Sequence, residues 1–193
     1  SLGESTKALL GGSSKLTRTI IWNIRAPRIL TAVLVGSGLA VAGAALQSLL
    51  RNPLASPYTL GISHAAAFGA AFSVVVLGAG SSSAAERGVI LNNPYITALS
   101  AFGWSLLAVL VIVLLGKYKN ASPVTLILTG IALGSLFTAG YTVLQYFADQ
   151  TQLSSIVFWT FGDVGRTNWV QLAVIAGAVV PVGCYFIYRG WSF

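Results

Sequence analysis

Between Arg25 and Ser63 the chain reads RAPRILTAVLVGSGLAVAGAALQSLLRNPLASPYTLGIS, with two arginines around a proline and then no charge from Ile29 to Leu50. Twenty-two uncharged residues, rising about 1.5 Å each, reach about 33 Å, enough to cross the hydrocarbon core of a bilayer. The glycines and alanines within the run suit close packing against protein better than exposure to lipid tails. A chain built around such a segment is committed to a membrane.

Four more charge-free runs follow: Asn52–Ala85, Gly88–Gly116, Asn120–Ala148 and Thr167–Tyr188. Asp, Glu, Lys and Arg make up 8% of the residues, against about 25% in ordinary soluble domains, so these helices lack the charged faces that water demands. The runs predict an all-α, polytopic membrane protein with about five transmembrane helices, at about 27–51, 57–79, 94–116, 123–147 and 168–188. An odd number of crossings puts residues 1–24 and the C-terminus on opposite sides.

Proline placement sharpens the ends. Ser56-Pro57, Asn93-Pro94 and Ser122-Pro123 each set a capping residue before a proline, an arrangement favoured at helix starts. Asn52-Pro53 works the other way, because proline disfavours helical geometry in the residue before it. Asn52, Pro53, Ser56 and Pro57 therefore form a structural hinge, with Asn52 and Ser56 bonding backbone groups freed at the two helix ends. Pro181 lies inside the last span and should kink it. Residues 1–24 read as surface structure and Gly80–Arg87 as a Gly/Ser loop. Asp149–Arg166 centres on LSSIVFWTFG, too short to span and suited to a half-buried interfacial helix. There is no methionine and no recognisable signal segment after Ser1, which reads as a processed, trimmed or excerpted chain.

The search for chemistry returns little. The net charge is +7, but the basic residues are scattered among loops without interleaved aromatics, so nucleic acid is not an expected partner. The single cysteine, Cys184, excludes an internal disulfide framework and a cysteine metal cluster. His64 is the only histidine and stands beside Ser63, but neighbours on a helix point apart and no orienting group accompanies them, so a hydrolase reading is set aside. Gly11-Gly12-Ser13-Ser14-Lys15 lacks the two glycines a phosphate loop needs. Asn120-Ala121-Ser122 spells a glycosylation sequon between two spans, a chance match. No acid lies inside a predicted span, which argues against a proton relay through buried carboxylates. No catalytic residue, metal site or cofactor is expected.

Small residues at helical spacing are abundant: Gly36, Ala40 and Ala44; Ala65, Gly69 and Ser73; Gly130 and Gly134. Such faces let backbones approach closely, and bundle packing accounts for most of them. The 123–147 span also carries Thr129, Thr138, Tyr141 and Gln145. Polar groups in a membrane helix face protein or a water-filled path, so Gly130, Gly134, Thr138, Tyr141 and Gln145 are the candidates for lining a pathway.

Four blocks then carry a family resemblance: RAPR-x2-TAVLVGSGLAVAGAALQ, RNPLASPYTLGIS, LILTGIALG and FWTFGDVG-x3-W. In order and spacing the chain resembles the permease subunits of ABC importers for iron–siderophore, haem and cobalamin, the FecCD family, from about Ile20 to Phe193. His64-Ala65 departs from the smaller pairs usual there, which bears on local packing around His64. The resemblance implies a type II importer permease of which this chain matches helices two to six, a fragment that stops before the ATPase-coupling helix. It implies a prokaryotic cell (inner) membrane, an extracytoplasmic segment over 1–24 and a permease domain over 25–193. The implied partners are a second permease copy, cytoplasmic ATPase subunits that use the ATP, an extracytoplasmic binding protein and the lipid bilayer. Arg25 and Arg28 match arginines that receive a glutamate from the binding protein.

Charge counting does not fix the orientation. The implied arrangement leaves four basic residues inside (Arg51, Lys117, Lys119, Arg189) and seven outside (Lys7, Lys15, Arg18, Arg25, Arg28, Arg87, Arg166), the reverse of the positive-inside rule. The function expected is the translocation pathway of a metal-chelate importer. The alternative is a membrane scaffold or anchor subunit that uses its small-residue faces only for assembly, with an intramembrane enzyme a distant third.

Overall fold

The computed structural model describes residues 15–79, 94–119 and 122–189. Most of these residues are helical: α1 Lys15–Ile20, a π-helical turn Ile21–Arg25, α2 Ala26–Leu50, α3 Ile62–Val75, α4 Pro94–Lys119, α5 Pro123–Phe147, α6 Gln150–Phe161, a 3₁₀ turn Val164–Arg166 and α7 Trp169–Arg189. Among the described residues four helical runs are long and apolar enough to cross a membrane: Lys15–Leu50, Pro94–Tyr118, Pro123–Phe147 and Trp169–Arg189. The Gly80–Arg87 loop, Asn93 and the first two residues of the sequon, Asn120 and Ala121, lie outside the described residues, as do residues 1–14.

Three expectations need correction. Residues 15–24, expected as surface structure ahead of a first span at about 27–51, are exposed for the most part but form helix that runs into α2. The fifth apolar helix, α3, has 14 residues rather than 57–79, about 21 Å at 1.5 Å per residue and short of the bilayer core. Ser56 does not cap it, because residues 56–61 form turns and Gly61 stands at the N-cap with φ of 73°. The other boundaries follow the sequence closely. Ser122 accepts a hydrogen bond from the Thr125 amide, with Pro123 in the first turn. Asp149 and Gln152 close a capping box at the start of α6, the short helix anticipated over 149–166.

The helices group into two compact units, residues 1–42 with 163–193 and residues 43–162. In the first, the π turn has a plain cause. Pro27 has no N–H and would crowd the carbonyl one turn back; the turn before it widens, and the Ala26 amide donates to the Ile21 carbonyl. In that register the Trp22 carbonyl faces Pro27 and receives no backbone proton. The indole N–H of Trp169 supplies one at 3.0 Å. The last residue of the FWTFGDVG-x3-W block thus bonds to the π turn that leads into the RAPR block. Trp169→Phe should cost about 1 kcal/mol with Pro27 present and less with Pro27→Ala, which returns an amide proton to the helix. A double-mutant cycle read by denaturant or thermal unfolding in detergent checks it; additive effects would show the bond to be idle.

In the second unit α3 is the central helix. Its buried side chains are almost all small: Ala65, Gly69, Ala70, Ala71 and Ser73, with Val74. A Cβ on Gly69 would stand 2.7 Å from the Ser100 carbonyl oxygen on α4, so the two backbones nearly touch. Hydroxyls tie the seam: Ser100 Oγ donates to the Gly69 carbonyl at 2.6 Å, and Ser73 Oγ donates to Thr97 Oγ1 at 3.1 Å. Such interhelical bonds contribute about 0.6 kcal/mol each. Phe68, Trp104 and Phe137 cluster where α3, α4 and α5 meet, Phe68 edge-on to Trp104 with ring centroids 4.8 Å apart. Ile156 anchors α6 against Ala71 and Val74 of α3, while Phe158 and Phe161 on the same helix stay exposed.

Candidate functional site: the hinge and its cavity

The hinge begins where α2 stops. Arg51 takes the left-handed conformation, φ 47°, while its amide donates to the Ser48 carbonyl and the Asn52 amide to that of Gln47. This pattern closes a helix C-terminus and is ordinarily built with glycine. Pro53 follows, so the chain cannot resume the helix. Asn52 Oδ1 accepts from the Leu54 amide at 2.9 Å. Ser56 and Thr59 brace the next turn reciprocally: Ser56 Oγ accepts from the Thr59 amide, and Thr59 Oγ1 accepts from the Ser56 amide. Pro57 leaves its carbonyl to receive the Ile62 amide. Leu50, Ala55 and Leu60 hold the hinge down in a buried cluster with Ile112.

Alpha-helix α5 presses against this turn. A Cβ on Gly130 would lie 2.7 Å from Leu60 Cα, and one on Gly61 would lie 2.6 Å from the Gly130 carbonyl oxygen. The GxxxG pair therefore seats the hinge as a helix-packing device. Beside it opens a cavity of about 740 Å³, within the size range of small-molecule sites. Asn52, Tyr58, Thr59 and Gly61 form one wall, Gly130, Gly134, Ser135, Thr138 and Thr142 the other, and His64 stands between them.

Of the five proposed pathway residues, Gly130, Gly134 and Thr138 line this cavity, with Thr138 Oγ1 donating to the Gly134 carbonyl at 2.9 Å. Tyr141 and Gln145 are not brought to it. The Gln145 side chain donates to the Tyr141 hydroxyl at 3.0 Å, and Tyr141 packs toward Val74 and Ile156. Sequence reasoning passed over Ser135 and Thr142, which with Thr138 occur at intervals of three and four, one face of a helix. That stripe was the available signal. Arg25 ends the π turn and Arg28 opens α2, three positions apart on one continuous helix, both exposed. Among the described residues no group of three or more His, Cys, Asp or Glu could hold a metal ion.

The sequence model of the FecCD transport family matches residues 1–192. The chain belongs to that family. A Methanocaldococcus jannaschii protein classed as an ABC transporter permease is 45% identical to this FecCD chain over 192 residues, covering 100% of the chain and 55% of the relative. The vitamin B12 import permease of Vibrio cholerae is 34% identical over 191 residues, with 98% of the chain and 54% of the relative covered. Among solved structures, an inward-facing conformation described as a metal-chelate type ABC transporter superposes with a TM-score of 0.78 at 29% identity, covering 93% of this chain and 53% of that one. The FecCD chain spans about half the length of the curated relatives it matches. It is a multi-pass membrane protein with an ABC importer permease fold.

Proposed function

We propose that the chain forms part of the permease of an importer for a metal chelate, working in a prokaryotic inner membrane. Family membership over 192 residues is the observation that carries this reading and favours it over a scaffold subunit. Relatives named for import of hemin and Fe(3+)-citrate support a chelate as cargo, whereas the one named for molybdate widens the class. The intact permease would pair with a second copy, two ATPase subunits that hydrolyse ATP, and an extracytoplasmic binding protein. This chain would contribute the α5 wall, and residues 1–24 would face outward.

Arg25 and Arg28 fit the docking role. Their guanidinium groups offer forked donors to a carboxylate, and exposed charge of one sign steers an acidic partner into register. Snorkelling arginines at a helix end would look the same in sequence. The test is ATP-dependent uptake of radiolabelled hemin, ferric citrate and cyanocobalamin by liposomes holding the full-length permease with its ATPase and binding protein. Uptake that needs all three components is the expected result, and a complex inert to every probe would overturn the importer reading. Changing both arginines to Glu should weaken binding-protein association at least tenfold at low salt, less at high salt, with ATPase assembly intact. Normal capture by the double variant would make them membrane anchors.

A further inference from the structure

The α5 wall of the cavity carries three hydroxyls, on Ser135, Thr138 and Thr142, and each has already committed its proton. Ser135 Oγ donates to the Ile131 carbonyl at 3.0 Å, Thr138 Oγ1 to the Gly134 carbonyl at 2.9 Å and Thr142 Oγ1 to the Thr138 carbonyl at 2.9 Å. The bonds follow from the helix itself, in which serine and threonine turn back to the carbonyl four residues earlier. A hydroxyl has one proton and two lone pairs, so these side chains show an occupant lone pairs only. Intervals of three and four set the three oxygens on one face of α5.

Among the described residues no charged side chain lines the cavity. An anion there would face lone pairs and lose its water with no cation in exchange, a costly burial. An occupant without any proton to donate also fits poorly, because it strips water from three acceptors and returns nothing. The hinge wall opposite is different. Asn52 Oδ1 accepts from the Leu54 amide at 2.9 Å, which leaves the side-chain N–H groups of Asn52 for the occupant. A secondary amide suits both walls, with its N–H toward α5 and its carbonyl toward the hinge, and it brings no charge.

We infer that this cavity selects uncharged, amide-like parts of the cargo, reading the N–H of a C(O)–NH unit through Ser135, Thr138 and Thr142. The inference deepens the importer reading and rests on it. Ile127, Ile131 and Ala139 complete the α5 wall, apolar surface of the kind that surrounds a few orienting polar groups in small-molecule sites.

Two uncharged ferric complexes that differ only at the N–H serve as probes. Iron(III) tris-acetohydroxamate has one N–H on each ligand; the tris-N-methylacetohydroxamate complex has a methyl group in each of those places. Equilibrium dialysis of the radioiron complexes, in excess ligand, against the purified full-length permease–ATPase complex gives both affinities. Wild type should hold the N–H complex about 10–100-fold more tightly, as two neutral hydrogen bonds supply. Partition into detergent or lipid runs the other way, because the methylated complex is the more apolar. Ser135→Ala, Thr138→Val and Thr142→Val together remove the lone pairs and should bring the two affinities within about threefold of each other. Should that triple variant fail to assemble, Thr138→Val alone should reduce the preference about threefold, and an unchanged preference overturns the inference. Equal binding of the two complexes by wild type, binding of neither, or a preference that survives the triple variant overturns it as well. ATP-dependent uptake of hemin, ferric citrate or cyanocobalamin by the same complex would then leave the importer reading standing, and the absence of all uptake would overturn both.

Discussion

Gly61→Ala should destabilise the protein by about 2–5 kcal/mol, whereas Gly78→Ala should cost about 1–2 kcal/mol. Both glycines have positive φ, 73° and 69°, and any other residue pays for that left-handed backbone. They differ in their surroundings. A methyl group at 61 would sit 2.6 Å from the Gly130 carbonyl oxygen and 2.8 Å from the Gly134 amide nitrogen, while one at 78 meets nothing within 4 Å. Those neighbours are backbone and cannot turn aside. Thermal unfolding of both variants in detergent gives the comparison. Equal losses would mean that α5 does not bear on the hinge, and that Gly61 is present only for its turn.

The long spans were legible because a bilayer tolerates so few alternatives. Charge-free runs bounded by proline and a capping residue place α5 within a residue or two of 123–147, and Pro94 opens α4 as anticipated. Where the sequence misled, two rules competed. Ser56-Pro57 has the chemistry of a helix start, but the turns it begins are held by Thr59 and end at Gly61, so α3 starts at Ile62. Pro27 reads as the edge of a span, yet a π turn accommodates it and the helix continues back to Lys15.

The site was legible in part, for a related reason. Polar residues on 123–147 mark a helix that is not wholly lipid-facing, but composition alone does not divide its faces. Tyr141 and Gln145 satisfy one another, whereas Ser135 and Thr142 look ordinary in sequence and line the cavity. In sequence His64 raises two questions, catalysis, as a lone histidine beside a serine, and local packing, as a residue larger than is usual at that place, and neither points to a cavity. Its place in the cavity depends on Gly61 turning the chain and Gly134 leaving room, contacts between residues 70 positions apart that no local pattern records.

Gly36 and Gly69 pose the same problem more sharply, because both sit in small-residue repeats of spacing four and their substitutions should act with opposite signs. Gly69→Ala puts a methyl 2.7 Å from the Ser100 carbonyl oxygen and 2.9 Å from Ala101 Cα. Both obstacles are backbone, so α3 and α4 must separate, and the Ser100–Gly69 and Ser73–Thr97 bonds stretch with them. The expected loss is about 2–3 kcal/mol, and Gly69→Leu should prevent accumulation of folded protein. At Gly36 a methyl meets nothing within 4 Å, so alanine's better helix propensity is unopposed and should add about 0.5–1 kcal/mol. Unfolding of the intact permease, dispersed in detergent and then assembled with its partners, separates the cases. A Gly69→Ala variant as stable as wild type would mean the α3–α4 seam is looser than its geometry. A Gly36→Ala variant that gains stability when dispersed but loses it on assembly would assign the Gly36, Ala40 and Ala44 stripe to a contact made by another subunit.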